Sequence, residues 1–325
     1  MSRKDNSGPN EKAASPGVRH VTVDAGSAGQ RIDNFVAAEL KGVPRGRIYR
    51  ALRRGEVRLN GGRVKQTVRV AAGDTVRLPP VTVEPRQAAR PGAAMSDALR
   101  AAIVFEDKRV LVINKPSGMA VHGGSGVSSG VVEALRTMAP EWRDVGLVHR
   151  LDRETSGCLV LAKRRSALRE LHAAFREGRV SKRYLAGSVG HWPHGTMTVD
   201  APLEVRHRQG GERHVVVAES GKPAATRFAP QAFYDGFTVL SAEPVTGRTH
   251  QIRVHALAAG HALALDERYG DPDDNERLRG KGLKRLFLHA QSIAFADASG
   301  NERLFTAPLP DDLARFVDRS RRLQP

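Results

Sequence analysis

The feature that most constrains the fold is a charged segment between two short apolar runs. Gly146-Leu147-Val148 leads into this segment, and Cys158-Leu159-Val160-Leu161-Ala162 leads out of it. Both runs are rich in branched residues and lie next to glycine, so they predict buried strands. Segment 149–157 ends in Ser-Gly, a pair typical of a tight reversal. Its Asp152 lies between two arginines on a turn held by rigid strands, which fits a functional carboxylate and also an ordinary surface salt bridge.

The other apolar patterns predict more strands than helices. The run at 110–113 is typical of a strand, and 190–235 contains short alternating pieces broken by Gly and Pro, as in an antiparallel sheet. Helical spacing occurs at 131–138, 168–175 and 249–260. The last of these helices has Thr249 as its predicted cap and Gly260 as its predicted stop. Since strands and helices do not alternate regularly, we predict an α+β body with a mixed, largely antiparallel sheet and flanking helices.

Length and charge indicate the class of partner. The 325 residues suffice for two domains, and a hydrophobic content of 40% supports a folded core. The net charge of +17 and the pI of about 10.8 indicate a polyanion, with nucleic acid as the first candidate. Aromatic residues make up only 5%, so we expect phosphate contacts and shape to dominate over base stacking.

Several other classes are disfavoured. The single cysteine, Cys158, excludes an internal disulfide and a multi-cysteine zinc site, and its apolar surroundings predict a small core residue. Apolar runs are too short for a membrane span, and the basic N-terminus lacks the apolar core of a secretory signal. We therefore expect a cytoplasmic monomer that makes no membrane contact.

An unusually basic N-terminal segment follows a polar tail of about 20 residues. Residues 29–80 carry 12 Lys and Arg against 4 acidic residues, a net charge of +8 and nearly half of the chain's total. Helical spacing predicts one helix from Ile32 to Leu40 and another from Arg45 to Arg54, which Gly55 ends. The excess has one sign and is clustered, so phosphate binding is favoured over a merely solvated face. The candidate RNA-binding residues of this segment are Arg31, Arg45, Arg47, Arg50, Arg54 and Arg58.

This basic segment resembles an S4 RNA-binding domain. The resemblance rests on Gly29-Gln30-Arg31-Ile32-Asp33-Asn34-Phe35, Arg47-Ile48-Tyr49-Arg50, Gly55-Glu56-Val57-Arg58-Leu59-Asn60-Gly61 and Gly73-Asp74-Thr75-Val76. It implies a structured RNA partner. We expect the S4 domain at 21–80, a proline-bearing linker at 81–98 and a catalytic domain at 99–325.

Common catalytic motifs are missing from the body. Ser156 lacks the Gly-x-Ser-x-Gly elbow of a nucleophilic serine, and no P-loop or dinucleotide glycine motif occurs. His250 and His255 are five residues apart, which splits them across two helical faces, so structural or RNA-contacting roles are favoured over metal binding. We therefore expect neither a metal nor a cofactor. An ionised, desolvated Asp152 beside a guanidinium could act alone as a nucleophile or base.

Four ordered blocks of the body resemble the RNA pseudouridine synthases of the large-subunit type. The blocks are Asn114-Lys115-Pro116-Ser117-Gly118 with Ala120-Val121-His122, the segment 149–157, Lys182-Arg183-Tyr184-Leu185-Ala186, and Gly247-Arg248-Thr249-His250-Gln251-Ile252-Arg253-Val254-His255. Finer details (Lys41-Gly42-Val43-Pro44, 121–126 and 266–271) resemble one branch of that family. One departure is Leu265-Asp266, where the broader family usually has Gly-Asp.

The resemblance implies a role for each matched residue. Asp152 would react with the target uridine as its N-glycosidic bond breaks, and Arg253 would pair with Asp152 and keep it charged. Tyr184 would stack on the flipped base, and Arg150 would occupy the space that the base leaves. Taken alone, Tyr184 also fits a core aromatic and Arg253 a surface helix residue. Arg248 is the weaker candidate for the partner of Asp152.

The predicted function is the isomerisation of uridine to pseudouridine in large-subunit (23S) ribosomal RNA. Two alternatives remain at the level of sequence: a non-catalytic S4-type protein that binds ribosomal RNA, and an S4-linked rRNA methyltransferase. The second alternative would need a glycine-rich cofactor site, for which the sequence contains no motif.

Overall fold

The structure, a computed structural model, describes residues 17–40, 42–81, 91–123, 130–193, 195–207 and 213–324. The chain divides into two compact units, Met1–Ala88 and Ala89–Pro325. Most of the predicted N-terminal tail, Lys41, most of the first half of the predicted linker and Gly124-Ser125-Gly126 lie outside the described residues.

The N-terminal unit packs two helices on a small sheet. Its elements are β1 (Arg19–Thr22), α1 (Ile32–Glu39), α2 (Arg45–Arg54), β2 (Arg58–Leu59), β3 (Gly62–Arg63) and β4 (Thr75–Leu78). The strands are ordered β1-β4-β2-β3. Ile32, Phe35, Ile48 and Leu52 recur at helical spacing and are buried together, so the apolar stripe of each helix forms the core as predicted. Gly55 ends α2 with φ of 71°, a left-handed conformation that glycine adopts without strain.

The C-terminal unit contains the remaining elements. Its first half comprises α3 (Ala93–Ala101), β5 (Ile103–Glu106), β6 (Val110–Lys115), α4 (Val131–Met138), a 3₁₀ turn (Pro140–Trp142), β7 (Gly146–Leu147), β8 (Ser156–Ala162), α5 (Arg165–Arg176) and β9 (Val180–Val189). Its second half comprises β10 (Met197–Asp200), β11 (Leu203–His207), β12 (Arg213–Val217), β13 (Ala225–Tyr234), β14 (Phe237–Pro244), α6 (Gln251–Ala258), α7 (Pro272–Gly280), β15 (Leu288–Ala296), β16 (Glu302–Thr306), α8 (Asp311–Arg319) and β17 (Arg322–Leu323).

One mixed sheet organises this unit. Its strands are ordered β10-β13-β14-β9-β15-β8-β6-β5, with β16 on β15, β17 on β13 and β7 on β8. The β8–β15 pair is parallel, whereas β13–β14, β14–β9, β15–β9 and β6–β8 are antiparallel. The prediction of an α+β body with a largely antiparallel sheet is confirmed. Strands β11 and β12 form a separate hairpin.

The central strands are apolar on both faces because helices cover both. Leu159 and Leu161 of β8 pack in a cluster with α3 and α4, whereas Cys158 and Val160 pack on the opposite side with α5. Successive side chains of a strand point to opposite faces, so a strand covered twice becomes a continuous apolar run. This coverage is the physical origin of the run that follows segment 149–157.

Three local expectations are corrected by the structure. Ser156-Gly157 does not form a reversal but begins β8, where Gly157 pairs with Ala290. Helix α3 begins at Ala93, inside the predicted linker. Helix α6 is not capped by Thr249, because its N-cap is residue 250, whose side chain makes no cap bond. The Gln251 side chain bonds to the preceding loop, where it accepts the backbone N–H of residue 248 at 2.9 Å and the residue 246 hydroxyl at 2.6 Å.

Candidate active site

A cavity of about 620 Å³ opens where the loop before β8, the strand β9 and the start of α6 come together. All five site residues that were predicted in the C-terminal unit line it: Arg150, Asp152, Tyr184, Arg248 and Arg253. They come from three separate stretches of the sequence, and the fold brings them into one site.

Segment 115–119 fixes the backbone of the Asp152 loop through hydrogen bonds to the Arg153 carbonyl. The buried Lys115 ammonium donates to the carbonyls of Pro116 at 2.8 Å, Met119 at 2.9 Å and Arg153 at 3.1 Å. The backbone of Gly118 also donates to the Arg153 carbonyl at 2.9 Å. Burial lowers the pKa of Lys115 to about 7, and in the charged form the three protons of the ammonium match these three carbonyls. The loop is thereby fixed by contacts that leave the Asp152 carboxylate facing the cavity.

His149 attaches the same loop to the sheet. Its Nε2 accepts the backbone N–H of Val160 at 3.1 Å, and its ring stacks on Phe175 with 5.1 Å between centroids. Burial lowers the pKa of His149 to about 3, with a further contribution from the charge of Lys182. The imidazole is therefore neutral at pH 7 and carries its proton on Nδ1, since Nε2 is an acceptor.

Arg253 lies between two carboxylates. Its Nη1 is 3.7 Å from Oδ2 of Asp152, while its Nε and Nη2 donate to the two carboxylate oxygens of Asp266 at 2.6 and 2.7 Å. Burial alone would lower the pKa of Arg253, but the hydrogen bonds and charge of Asp266, with Asp152 in addition, raise it above its ordinary value. The guanidinium is thus a permanent cation beside Asp152.

Asp266 has a role in this site that was not predicted from the sequence. Its side chain is fully enclosed, and it also accepts the backbone N–H groups of Arg268 at 3.0 Å and Tyr269 at 3.1 Å. Leu265 before it has φ of 53°, a left-handed conformation that is unusual for a branched side chain. Glycine adopts this conformation freely, so a leucine here shows that the surrounding structure holds the backbone before Asp266.

Tyr184 projects from β9 into the cavity that Asp152 also lines. Its ring packs against the apolar clusters on the two sides of the strand's end. Burial raises the pKa of Tyr184 well above its ordinary value, and the charge of Asp152 raises it further. The phenol therefore stays protonated at neutral pH and can donate a hydrogen bond.

His250 is a further residue of the cavity wall. Its Nε2 is 3.9 Å from Oδ2 of Asp152, and its Nδ1 is 2.7 Å from the hydroxyl of Tyr269. The Tyr269 hydroxyl also accepts the backbone N–H of Val215 on β12 at 3.0 Å. The Tyr269 ring lies 5.0 Å from the Arg253 guanidinium. This set of contacts links the hairpin β11–β12 to the surroundings of Asp152.

Among the described residues, Asp152 is the single carboxylate that lines the cavity, and cations surround it. Arg150 and Arg248 are exposed at the cavity wall, and Lys182 donates to the Thr246 carbonyl at 3.1 Å. Burial lowers the pKa of Lys182 to about 8, so it remains mostly charged at pH 7. The Nε of Arg248 donates to the Pro223 carbonyl at 3.1 Å. Of the two candidate partners of Asp152, Arg253 is therefore the one in ion-pair range.

The candidate arginines of the N-terminal unit fall into two groups. Arg31, Arg45 and Arg47 bond with Asp33, Asn34 and Glu56, respectively, and Arg58 donates to backbone carbonyls. Arg50 and Arg54 are exposed on α2, with Arg54 reaching Glu56 only at 4.0 Å. The second group is the better placed to contact a polyanion.

Comparison with known proteins identifies the family. The chain matches the profile described as RNA pseudouridylate synthase over residues 109–258 and that of the S4 domain over residues 30–76. It is 50% identical over 310 residues to ribosomal large subunit pseudouridine synthase C of Pasteurella multocida, covering 94% of this chain and 95% of that protein. This chain belongs to the RNA pseudouridylate synthase family. The family resemblance drawn from four sequence blocks is confirmed, and the protein is an RNA pseudouridine synthase.

Two further relatives agree with this assignment. The synthase C of Escherichia coli O157:H7 is 49% identical over 315 residues, covering 95% of this chain and 99% of its own. The solved structure of human RNA pseudouridylate synthase domain containing 4 is 25% identical, with a TM-score of 0.59 over 71% of this synthase and 97% of the human chain. Within the described ranges, every helix is too short or too polar to cross a bilayer.

Proposed function

We propose that this synthase converts uridine to pseudouridine in large-subunit (23S) ribosomal RNA, with Asp152 as the reacting carboxylate. The observation that carries the proposal is the cavity itself, where one carboxylate lies 3.7 Å from a buried guanidinium among several cations. Such a site attracts a phosphodiester chain. The choice of RNA is supported by the relatives, whose names describe ribosomal large subunit pseudouridine synthases.

The chemistry balances without a co-reactant. The bond between the ribose C1′ and the uracil N1 breaks, the ring turns, and a C1′–C5 bond forms. The C5 proton is lost and N1 gains one, so product and substrate have the same mass. Asp152 serves as the nucleophile at the sugar or as the base for a sugar proton. We infer that neither a metal nor a cofactor takes part.

Access to a base in folded RNA requires its extrusion. Arg150 is exposed at the cavity wall next to Asp152, so its side chain can fill the space that the uridine leaves. Tyr184, a protonated phenol within the cavity, then stacks on the extruded ring and is available for proton transfer. Arg253, fixed by Asp266, pairs with Asp152 across 3.7 Å.

The N-terminal unit supplies a second RNA contact in this proposal. We assign the S4 domain to residues 21–80 and its phosphate contacts to Arg31, which precedes α1, and to the arginines of α2 and β2. The synthase acts as a monomer in the cytoplasm, where its RNA is found. The catalytic domain begins at α3, a few residues before the boundary predicted from sequence.

Asp152→Asn is the test of the reacting group. We expect turnover to fall by at least about 10²–10⁴-fold, the contribution of a positioned general base, while RNA affinity stays within about twofold. Turnover is measured as tritium released from RNA that carries [5-³H]uridine, and affinity by filter binding. Glu154→Gln is the matched control, because it removes one carboxylate from the same loop at a side chain that is 52% exposed. An Asp152→Asn variant that still turns over would show that the reacting group is misassigned.

Carbodiimide mapping of 23S rRNA tests the substrate. RNA from cells that lack the gene should lose specific reverse-transcription stops, and the wild-type gene but not Asp152→Asn should restore them. Unchanged stops would favour a non-catalytic RNA-binding protein. An RNA product of increased mass would instead indicate a methyltransferase.

A further inference from the structure

The backbone at His250 is held in an unfavourable conformation. Its φ is 52° and its ψ is 19°, in the left-handed region, which is strained for a residue other than glycine. Capping does not explain this conformation, because the His250 side chain makes no cap bond to the first turn of α6. Its consequence is that the imidazole faces the cavity, with a side chain only 11% exposed.

Hydrogen bonding fixes which ring nitrogen of His250 carries the proton. The Tyr269 hydroxyl accepts the N–H of Val215 at 3.0 Å and lies 2.7 Å from Nδ1 of His250. A phenol has one proton to donate, and Nδ1 is the ring acceptor within reach of it. The arrangement that uses the phenol proton has the hydroxyl donate to Nδ1, which leaves the proton of the neutral ring on Nε2. Nε2 is the atom that faces Oδ2 of Asp152 at 3.9 Å.

The ring is neutral under the conditions of the reaction. Burial lowers the pKa of His250 to about 4; Asp152 and Asp266 oppose this shift, and Arg253 and Arg268 reinforce it. With the hydroxyl of Tyr269 added, these are the charged and titratable groups of the described chain that face the imidazole. At pH 7 the ring thus offers a hydrogen-bond donor and adds no second cation beside Arg253.

We propose that His250 is a positioning residue for Asp152, directing the reacting carboxylate through its Nε2–H in a tautomer that Tyr269 and the hairpin β11–β12 impose. The proposal rests on the assignment of Asp152 as the reacting group. Arg253 and His250 approach the same oxygen, Oδ2, at 3.7 and 3.9 Å. A small movement of the carboxylate on RNA binding completes both hydrogen bonds and leaves Oδ1 for the substrate.

The contrast between His250→Asn and His250→Gln tests this proposal. Asparagine tolerates the left-handed backbone but its amide corresponds to Nδ1, so no donor reaches Asp152. Glutamine places an amide N–H near the position of Nε2. We expect His250→Asn to lower the single-turnover rate by about 10- to 100-fold, as for loss of a charged hydrogen bond, with RNA affinity within about twofold. His250→Gln should recover most of the rate.

Two results would overturn the proposal: a wild-type rate for His250→Asn, or a rate for His250→Gln no higher than for His250→Asn. Asp152→Asn is measured in the same assay. If Asp152→Asn is inactive while both His250 variants are fully active, only the role of His250 fails. If Asp152→Asn is active, the proposed function fails with it.

Tyr269→Phe tests the control of the tautomer. Phenylalanine keeps the ring beside Arg253 but removes the hydroxyl that His250 and Val215 share. Long-range ¹H–¹⁵N spectra of the full-length protein should show His250 protonated on Nε2 in the wild type and a mixture of tautomers in the variant. Tyr269→Phe should slow turnover, and the double variant with His250→Asn should be no slower than His250→Asn alone. An Nδ1–H tautomer in the wild type, or additive effects in the double variant, would contradict the proposal.

Discussion

The carboxylate of Asp266 is fully enclosed, whereas that of Asp152 is partly exposed. The two carboxylates therefore have different roles in the site. Asp266 engages Nε and Nη2 of Arg253 in a bidentate pair and leaves Nη1 directed at Asp152. A bidentate pair fixes the plane of the guanidinium as well as its position. Asp152 is a quarter exposed and is free to meet a substrate. One carboxylate therefore orients the arginine so that its remaining nitrogen faces the other carboxylate.

Asp266→Asn should destabilise the synthase and slow it. The substitution keeps the shape of the side chain but leaves a buried guanidinium without its partner charge, which costs about 3–5 kcal/mol. We expect the midpoint of urea unfolding to fall and turnover to fall with it. Glu276→Gln is the control, because its pair with Arg279 is exposed and should leave the midpoint unchanged. Equal midpoints for the two variants would show that the buried pair is not required for stability.

At the scale of elements, the loop of Asp152 depends on how β8 begins. Gly157 has φ of 114°, and a Cβ on it would overlap the Ala290 carbonyl oxygen of β15. The parallel pairing of β8 with β15 thus brings two backbones closer than a side chain permits. Because this strand start follows Asp152 closely in the chain, it also sets the position of the reacting carboxylate.

Gly157→Ala should therefore cost roughly 2–6 kcal/mol, because it adds a strained φ to a backbone clash. The measurement is urea unfolding, with turnover of any folded fraction. Gly190→Ala is the matched control, since its φ is 74° but no described atom lies within 4 Å of its added Cβ. Gly190→Ala should lower the free energy of unfolding only by the cost of placing alanine at a positive φ, without a clash. Similar destabilisation of both variants would mean that the close approach to Ala290 is unimportant.

The hydrogen bond from Val160 to His149, which attaches the Asp152 loop to the sheet, should make the stability of the fold sensitive to acid. His149 has its ordinary pKa of about 6.5 in the unfolded chain but about 3 when folded. Between pH 6.5 and pH 3, the His149 imidazole is therefore protonated in the unfolded chain but neutral in the folded protein. Stability should be complete above pH 6.5 and decline as pH falls, by up to about 1.4 kcal/mol per unit for this group.

His149→Gln isolates this contribution. The glutamine carbonyl can accept the N–H of Val160, but it does not titrate, so the slope of unfolding free energy between pH 6.5 and 5 should decrease. His250, with a folded pKa of about 4, should retain part of the slope. An identical slope in the wild type and His149→Gln would show that His149 is not the source of the acid sensitivity.

The sequence predicts elements well where one face is apolar and poorly where it is not. Helices α1, α2, α4 and α5 carry an apolar stripe, and their positions agree with the spacing. Helix α3 buries only Leu99 fully, so the sequence gives no helical signal for its first residues, which lie within the predicted linker at 81–98. Helix α7 is almost entirely polar, so its signal was its Asp271 cap and the following proline rather than periodicity.

The site divides in a similar way. Asp152, Tyr184 and Arg253 could be named because each lies in a recognisable block, and the fold places them in one cavity. The role of Asp266 could not be predicted from the sequence, because only the tertiary packing brings it next to its partner Arg253. The orientation of His250 depends on a left-handed backbone that no periodicity indicates.

At the scale of the whole molecule, the positive charge is concentrated in two places, the N-terminal unit and the cavity around Asp152. Residues 29–80 carry a net +8 of the total +17, and the remainder includes the cations of the cavity. In the function proposed above, the cavity cations serve the target nucleotide, and the exposed arginines of α2 neutralise other phosphates of the RNA. Such contacts release counterions, so they control how strongly affinity depends on salt.

Arg50→Gln with Arg54→Gln tests this division without truncating the chain. The plot of log affinity against log salt should become shallower by up to about 0.7–0.9 for each phosphate that is no longer neutralised. The turnover of bound RNA should not change, because neither residue lines the cavity. Arg315→Gln with Arg319→Gln removes the same charge from exposed positions on α8 and serves as the control. Equal salt slopes for both pairs would mean that net charge alone, rather than the basic face of α2, determines RNA affinity.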